Sequence, residues 1–196
     1  MIGEIKFKFI GTQPLMVQSA RLANPLDPLT QEIQKYTRKK PKEKTDADHS
    51  AIMRLEFEGA FYNGAEFTDI GPYLPGENIL AALRDGGKSQ RKGAAVRRGL
   101  FSVERALAIK YKGPRTIEEL WKAMTCVDIR GVRLNGRSTV MRCRPIFADW
   151  ELSPTIRYDD QILNKAKVIE IAEYTGNYIG VGTYRPTFGR FSVEVK

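Results

Sequence analysis

The chain has one histidine, His49, and two cysteines, Cys126 and Cys143, among its 196 residues. So little imidazole and thiol leaves no zinc-ligand spacing and little acid–base material that titrates near neutral pH. The two cysteines lie in separate strand-like segments and are expected as buried free thiols. Asp46, Asp48 and His49 cluster in sequence, but side chains two apart do not share a helix face, so no metal site is expected. His49 sits at a charged helix start and is expected on the surface. No apolar run reaches the ~20 residues of a spanning helix. The opening leads straight into an alternating segment rather than a leader peptide. The expected setting is therefore cytoplasmic, with no membrane partner. A phosphate-binding P-loop is also lacking: Gly86-Gly87-Lys88-Ser89 has no upstream glycine at the right spacing and follows a helix.

What the chain has in excess is positive charge. A formal net charge of +9 and a pI near 9.6 point to a polyanionic partner. Lys35–Lys44 is a weaker binding candidate, with a solvated charged face as the competing reading. Lys88, Arg91, Lys92, Arg97 and Arg98 fall in a run without an acid, read as a loop. Arg130, Arg133, Arg137, Arg142 and Arg144 lie on a hairpin expected over 127–150, opposed only by Asp128 and Asp149. Arginine without lysine there favours forked phosphate contacts. Arg185 and Arg190 stand in a glycine-bearing loop, Ile179–Arg190, with Tyr184 and Phe188. That loop is expected to gather backbone amides, guanidinium groups and rings, as single-strand recognition requires. The competing reading is plain for each: glycine for positive φ in a turn, arginines in water or paired with acids, and rings, Tyr178 and Trp150 included, as packing.

Residues 4–11 alternate as a strand. Asp27-Pro28 is a helix start, a cap followed by proline. Thr45 or Asp46 caps a second helix, to about Phe61. The turn 71–76 leads into a third, Glu77 to about Asp85, with Ile79, Leu80 and Leu83 inward and Gly86-Gly87 as its stop. One or two strands follow over 100–111. Thr116 and Glu119 cap a short helix to Met124, and Asn135-Gly136 marks the hairpin tip. A strand over 150–158 precedes a helix that starts at Asp159, turns Ile162, Leu163, Ala166 and Ile169 inward and ends at Gly176. A last strand closes the chain. Without an insertion at 30–69 and the hairpin, the order is strand, helix, strand, strand, helix, strand. That is α+β, a ferredoxin-like or RRM-like layout in a single domain over 1–196: an antiparallel sheet with two helices on one face. RRM domains bind single strands on the other face.

Gly71-Pro72-Tyr73-Leu74-Pro75-Gly76-Glu77-Asn78-Ile79-Leu80-Ala81-Ala82-Leu83-Arg84 resembles a hallmark of the RAMP superfamily, the RNA-binding proteins that build CRISPR effector complexes. Three other segments resemble that family in the same order. Ala23–Thr30 is similar to the segment after the first strand of type III backbone subunits. Arg144–Leu152 is similar to the strand leaving their thumb, and Ile179–Arg190 to their glycine-rich loop before the last strand. The resemblance implies a backbone-subunit-like fold over nearly the whole chain, with the hairpin as a thumb. It implies side-by-side assembly along RNA as a homo-oligomer or filament, with CRISPR-type effector subunits as further partners. By its own residues, the helix at Glu77 could turn its first-turn amides to a phosphate, with Arg84 one to two turns on, against the negative charge that Glu77 adds there; with Glu77 turned away, Asn78 could still hydrogen-bond to the backbone. The chain also departs from the family. Type III backbone subunits have an aspartate that cuts target RNA where this chain has Ala23. Leu80-Ala81 stands at the family's Lys-Gly, and Pro186 with fewer glycines alters the final loop. These departures imply a diverged relative of the kind a phage or mobile element carries, without the carboxylate for metal-assisted or general-base cleavage.

The leading expectation is a non-catalytic protein that binds single-stranded RNA or DNA, largely without regard to sequence, and uses no cofactor. Its expected contacts are Arg84, the run Lys88 to Arg98, the hairpin arginines, and Tyr184, Arg185, Phe188 and Arg190. Two alternatives stay open. One is an RNA-processing endoribonuclease of the RAMP type, with His49 or a tyrosine moving the proton. The other is an interaction protein that mimics or caps a CRISPR backbone.

Overall fold

The computed structural model describes residues 1–63, 65–134 and 138–196. In chain order the elements are β1 (Ile2–Gly11), β2 (Leu15–Met16), α1 (Pro28–Thr37), α2 (Asp46–Gly59), β3 (Tyr73–Pro75), α3 (Gly76–Ser89), α4 (Gly93–Gly99), β4 (Leu100–Ser102), β5 (Ala106–Ala108), α5 (Ile117–Ala123), β6 (Val127–Leu134), β7 (Ser138–Phe147), β8 (Glu151–Leu152), β9 (Thr155–Asp159), α6 (Lys165–Tyr174) and β10 (Phe191–Val195). They form two compact units. One comprises Met1–Met16, Ala65–Lys112 and Phe147–Lys196, the other Val17–Gly64 and Gly113–Ile146.

The first unit is built on the alternation in β1. Ile5, Phe7 and Phe9 are buried while Glu4 and Lys6 are exposed, the period-two pattern of a sheet with one face on a core. The sheet order is β10-β1-β9-β4, with every neighbouring pair antiparallel. The short β8 also pairs with β1. Along β1, α3, β4, β9, α6 and β10 the connection is βαββαβ and the strand order 4-1-3-2, so the unit is α+β and ferredoxin-like. Phe9 stacks on Phe191 of β10 with ring centroids 4.2 Å apart, and burial of such rings is the main stabilising term of the core. β3 leads directly into α3 and pairs antiparallel with β5.

Helix boundaries in this unit differ from the sequence-based expectation, each for a packing reason. α3 does not stop at Gly86-Gly87 but runs on to Ser89, with both glycines buried. A methyl group on Gly86 would lie 2.1 Å from Thr175 Oγ1, and one on Gly87 2.7 Å from Val96 Cγ2. The pair permits close approach; it does not end the helix. The basic run after α3 is not a loop throughout, because a turn through Arg91 (φ +57°) leads into α4. α6 starts from Asn164, whose side chain accepts the Lys167 N–H, and not from Asp159, whose carbonyl accepts Ile162 and Leu163 N–H in a turn. Its inward residues shift accordingly to Val168, Ile171 and Ala172, and Ala166 is exposed.

In the second unit the local helix signals hold. Asp27 accepts the Leu29 N–H with Pro28 at the first position of α1. Thr45 and Asp48 form a reciprocal capping box on α2, and Thr116 accepts the Glu119 N–H on α5. Phe57 of α2 anchors the core, 5.1 Å from Phe61 and 5.4 Å from Trp121 by ring centroid. β6 and β7 pair antiparallel from Val127↔Pro145 to Leu134↔Ser138. The expected tip at Asn135-Gly136 and the candidate Arg137 lie outside the described residues. Cys126 and Cys143 are buried free thiols.

Candidate nucleic-acid interface

The segment between α6 and β10 is built by its glycines. Gly189 has φ +76°, and a methyl group there would lie 1.8 Å from the Val181 carbonyl oxygen. The position therefore needs glycine for both conformation and space. The loop's amides close on the protein itself. Val181 N–H donates to Gly189 O (2.8 Å), Gly189 N–H to Pro14 O (2.8 Å), and Thr183 N–H to Met16 O (2.9 Å). The expected cradle of phosphate-facing amides is thus absent at these positions, since each N–H is already used. The loop keeps its guanidinium groups and its rings.

Those groups meet the C-terminal end of α3. Tyr178, Tyr184, Arg185 and Asp85 line an open cleft of about 590 Å³. Tyr178 is 62 % and Tyr184 50 % exposed; Tyr184 has Phe188 at 5.7 Å, and Tyr178 has Tyr174 at 4.8 Å. Arg185 reaches Asp85 at 3.3 Å and the Gly180 carbonyl at 3.4 Å. Asp85 also holds Lys88 at 3.0 Å. Partial burial opposes the charge on Asp85, but the Lys88 hydrogen bond and then the charges of Lys88, Arg185 and Arg84 outweigh it and keep this carboxyl below its ordinary value. Asp85 was not among the sequence-based candidates; its position three residues before Lys88 on a helix was the available signal.

The α3–α4 turn adds cations beside this end. Gly93 packs against the Lys88 side chain, and Lys92 N–H donates to Gly87 O at 2.6 Å. Arg91, Lys92, Arg97 and Arg98 are exposed, and none forms an ion pair with a described residue. Among the described residues, the enclosed Nε atoms of Arg84 and Arg190 have no hydrogen-bond partner. The start of α3 is less available than expected, because Gly76 is buried and its N–H donates to Arg105 O at 3.0 Å.

The arginines of β6 and β7 behave differently. Arg130 pairs with Asp128. Arg142 pairs with Glu56 of α2, an acid missing from the sequence-based tally. Arg144 Nε donates to Gln18 Oε1 at 2.7 Å. Arg133 is exposed on the opposite face of β6. The arginine-bearing arms are therefore largely tied to their own unit, contrary to the expectation that Asp128 and Asp149 alone oppose them.

One other expectation changes. The open face of the ferredoxin-like sheet carries paired charges, Glu4 with Arg157 at 3.1 Å and Lys8 with Glu151 at 2.9 Å, and the exposed ring of Phe101. An RRM-type platform needs stacked rings and excess positive charge there. Trp150 is a core ring, 2 % exposed, with Nε1 donating to Gln13 O at 2.8 Å. His49 is exposed in the first turn of α2. Among the described residues no group of three or more His, Cys, Asp and Glu gathers as a metal site, and no helix is long and apolar enough to cross a membrane.

Fold and surface together define an α+β protein of ferredoxin-like topology with a ring-lined cleft beside exposed cations. Comparison with models of known protein families finds no match, and comparison with curated proteins finds none either.

Proposed function

We propose that the protein is a non-catalytic binder of single-stranded RNA or DNA, of the RAMP type that its motifs resemble. The observation that carries this reading is the end of α3. Exposed tyrosines at 178 and 184 stand there with Arg185, and Arg91 and Lys92, exposed and without an ion pair among the described residues, follow in the next turn. Rings for base stacking and cations for phosphates are the two requirements of single-strand binding. Neither supplies a base-edge code, so the binding is weakly sequence-dependent. Ala23, at the position of the family's cleaving aspartate, supports binding without cutting. Assembly side by side along the strand belongs to the same proposal, as does a cytoplasmic setting.

The test is a titration of labelled single-stranded RNA, single-stranded DNA and duplex at two salt concentrations, with product length checked on a gel. Tight, salt-sensitive binding to intact single strands is the expected result. Alanine at Arg91, Lys92, Arg97 and Arg98 lowers the slope of log affinity against log salt by about 0.7 for each phosphate contact removed. Tyr184→Ala weakens every sequence alike, by about 1–3 kcal/mol if one base stacks on it. No single-strand binding at low salt, or shortened product, overturns the reading.

A further inference from the structure

β6 is the terminal strand of its sheet. Among the described residues β7 runs along one of its edges, and no strand pairs with the other. The register with β7 fixes which backbone groups face the open edge. Ile146 N–H donates to Cys126 O at 3.0 Å. Asp128, Arg130 and Val132 are in phase with Cys126, so they turn their amides to β7. Val127, Ile129, Gly131 and Arg133 are on the alternate phase and turn theirs away. β7 shows the same alternation: Cys143, opposite Ile129, sends its N–H away from β6 to the Glu56 carboxylate at 3.0 Å.

This edge lacks the usual guards against pairing. The strand, Val127-Asp128-Ile129-Arg130-Gly131-Val132-Arg133-Leu134, holds no proline and no lysine. Its register with β7 runs without a bulge. Apolar surface accompanies the free amides: Ile129 is 42 % exposed, and Met141, opposite Gly131, is 58 % exposed. Such an edge is a template for another strand.

The charges on β6 select the occupant. Two copies laid antiparallel must set outward amides against outward amides, so the twofold axis falls on a residue and not between two. An axis on Asp128 or Arg130 places that charge against its own copy, which is unfavourable. An axis on Val127 or Gly131 matches no acid to a base. An axis on Ile129 sets Asp128 opposite the partner's Arg130, and Arg130 opposite the partner's Asp128. These are the pairs without backbone hydrogen bonds, in which side chains come closest. The outward amides of Val127, Ile129 and Gly131 then meet those of the partner's Gly131, the partner's Ile129 and the partner's Val127. Ile129 packs on its own copy, and the partner's Val127 covers Gly131 beside Met141. Asp128 already holds Arg130 of its own strand, so the second guanidinium joins a carboxylate that is fixed in place.

We propose that β6 forms a twofold, antiparallel contact with β6 of a second copy of this chain, centred on Ile129 and set in register by two Asp128–Arg130 pairs between the copies. Such a contact closes at two copies, so it is distinct from side-by-side assembly along a strand. It rests on β6 and β7 alone and not on the single-strand reading.

Sedimentation of the full chain, freed of nucleic acid and run over a concentration series into the micromolar range, tests it. Monomer passing to dimer is the expected result. Ile129→Lys, at an exposed position, puts two ammonium groups on the axis and should weaken the dimer tenfold or more with little change in thermal stability. On oxidation, Ile129→Cys should form an intermolecular disulfide, because residues opposite each other at the axis come within reach. Arg133→Cys, far from its own copy in this register, should not. Wild type, whose two thiols are buried, is the blank. Arg130→Asp and Asp128→Arg should each be monomeric alone and form a mixed dimer when combined, since the acidic strand of one then faces the basic strand of the other. A wild type that stays monomeric overturns the proposal and leaves the open edge to a strand of another protein. A dimer that Ile129→Lys does not weaken, or that cross-links as well at position 133 as at 129, overturns it too.

Discussion

Arg130, Arg142 and Arg144 carry the same charge as Arg97 and Arg98, yet each has a fixed partner where Arg97 and Arg98 have none among the described residues. Sequence inspection could not separate the two groups. Glu56 lies 86 residues before Arg142, and only the packing of α2 beside β7 makes it a counter-ion. The same carboxylate has a second effect at this scale. Burial comes first and the charges of Glu56 and Asp128 follow in pushing the Cys143 thiol up to about 12, from an ordinary value of 9.0. As pH rises above 9.0, the unfolded chain ionises this thiol and the folded chain does not. Stability is therefore lost progressively up to about pH 12. Urea melts at pH 8 and pH 10.5 are expected to show a larger loss of stability in the wild type than in Cys143→Ala. Equal losses in the two proteins would show that Cys143 is not the group responsible. In native protein at pH 8, this thiol should react with a disulfide reagent only as fast as the chain opens.

Caps were readable at the scale of elements because they are local. Asp27, Thr45 and Thr116 each bond to an amide two or three residues away, and the pattern sits within one turn of sequence. Gly86-Gly87 was misread because its cause is tertiary. A helix breaker and a close-packing glycine look alike in sequence, but substitution distinguishes them. If the pair were only a weak point of α3, Gly86→Ala would stabilise the protein by roughly 1 kcal/mol through helix propensity. The structure puts the new methyl group 2.1 Å from Thr175 Oγ1, so Gly86→Ala should instead destabilise by about 1–3 kcal/mol. Combining it with Thr175→Ala should restore part of the loss. A rise in melting temperature for Gly86→Ala alone would refute the packing account.

For the whole molecule, the order of strands and helices was legible, since alternation in β1 and helical periodicity around Ile79 persist over many residues. The use of the faces was not. The RRM-like sheet surface is the one that fold analogy favours, but ion pairs across β1, β9 and β8 leave little net charge there. Exposed rings, and cations without an ion pair among the described residues, lie instead around the end of α3, where segments a hundred residues apart meet. Asp85 sits among them, bonded to both Lys88 and Arg185. Without a strand, it keeps the Arg185 guanidinium in place much as a phosphate would. On the proposed single-strand reading, an incoming phosphate displaces it, which makes the carboxylate a resident competitor, one that trades affinity for an orderly empty site. Asp85→Asn should accordingly bind single strands severalfold more tightly at low salt, and the excess should shrink as salt screens the competition.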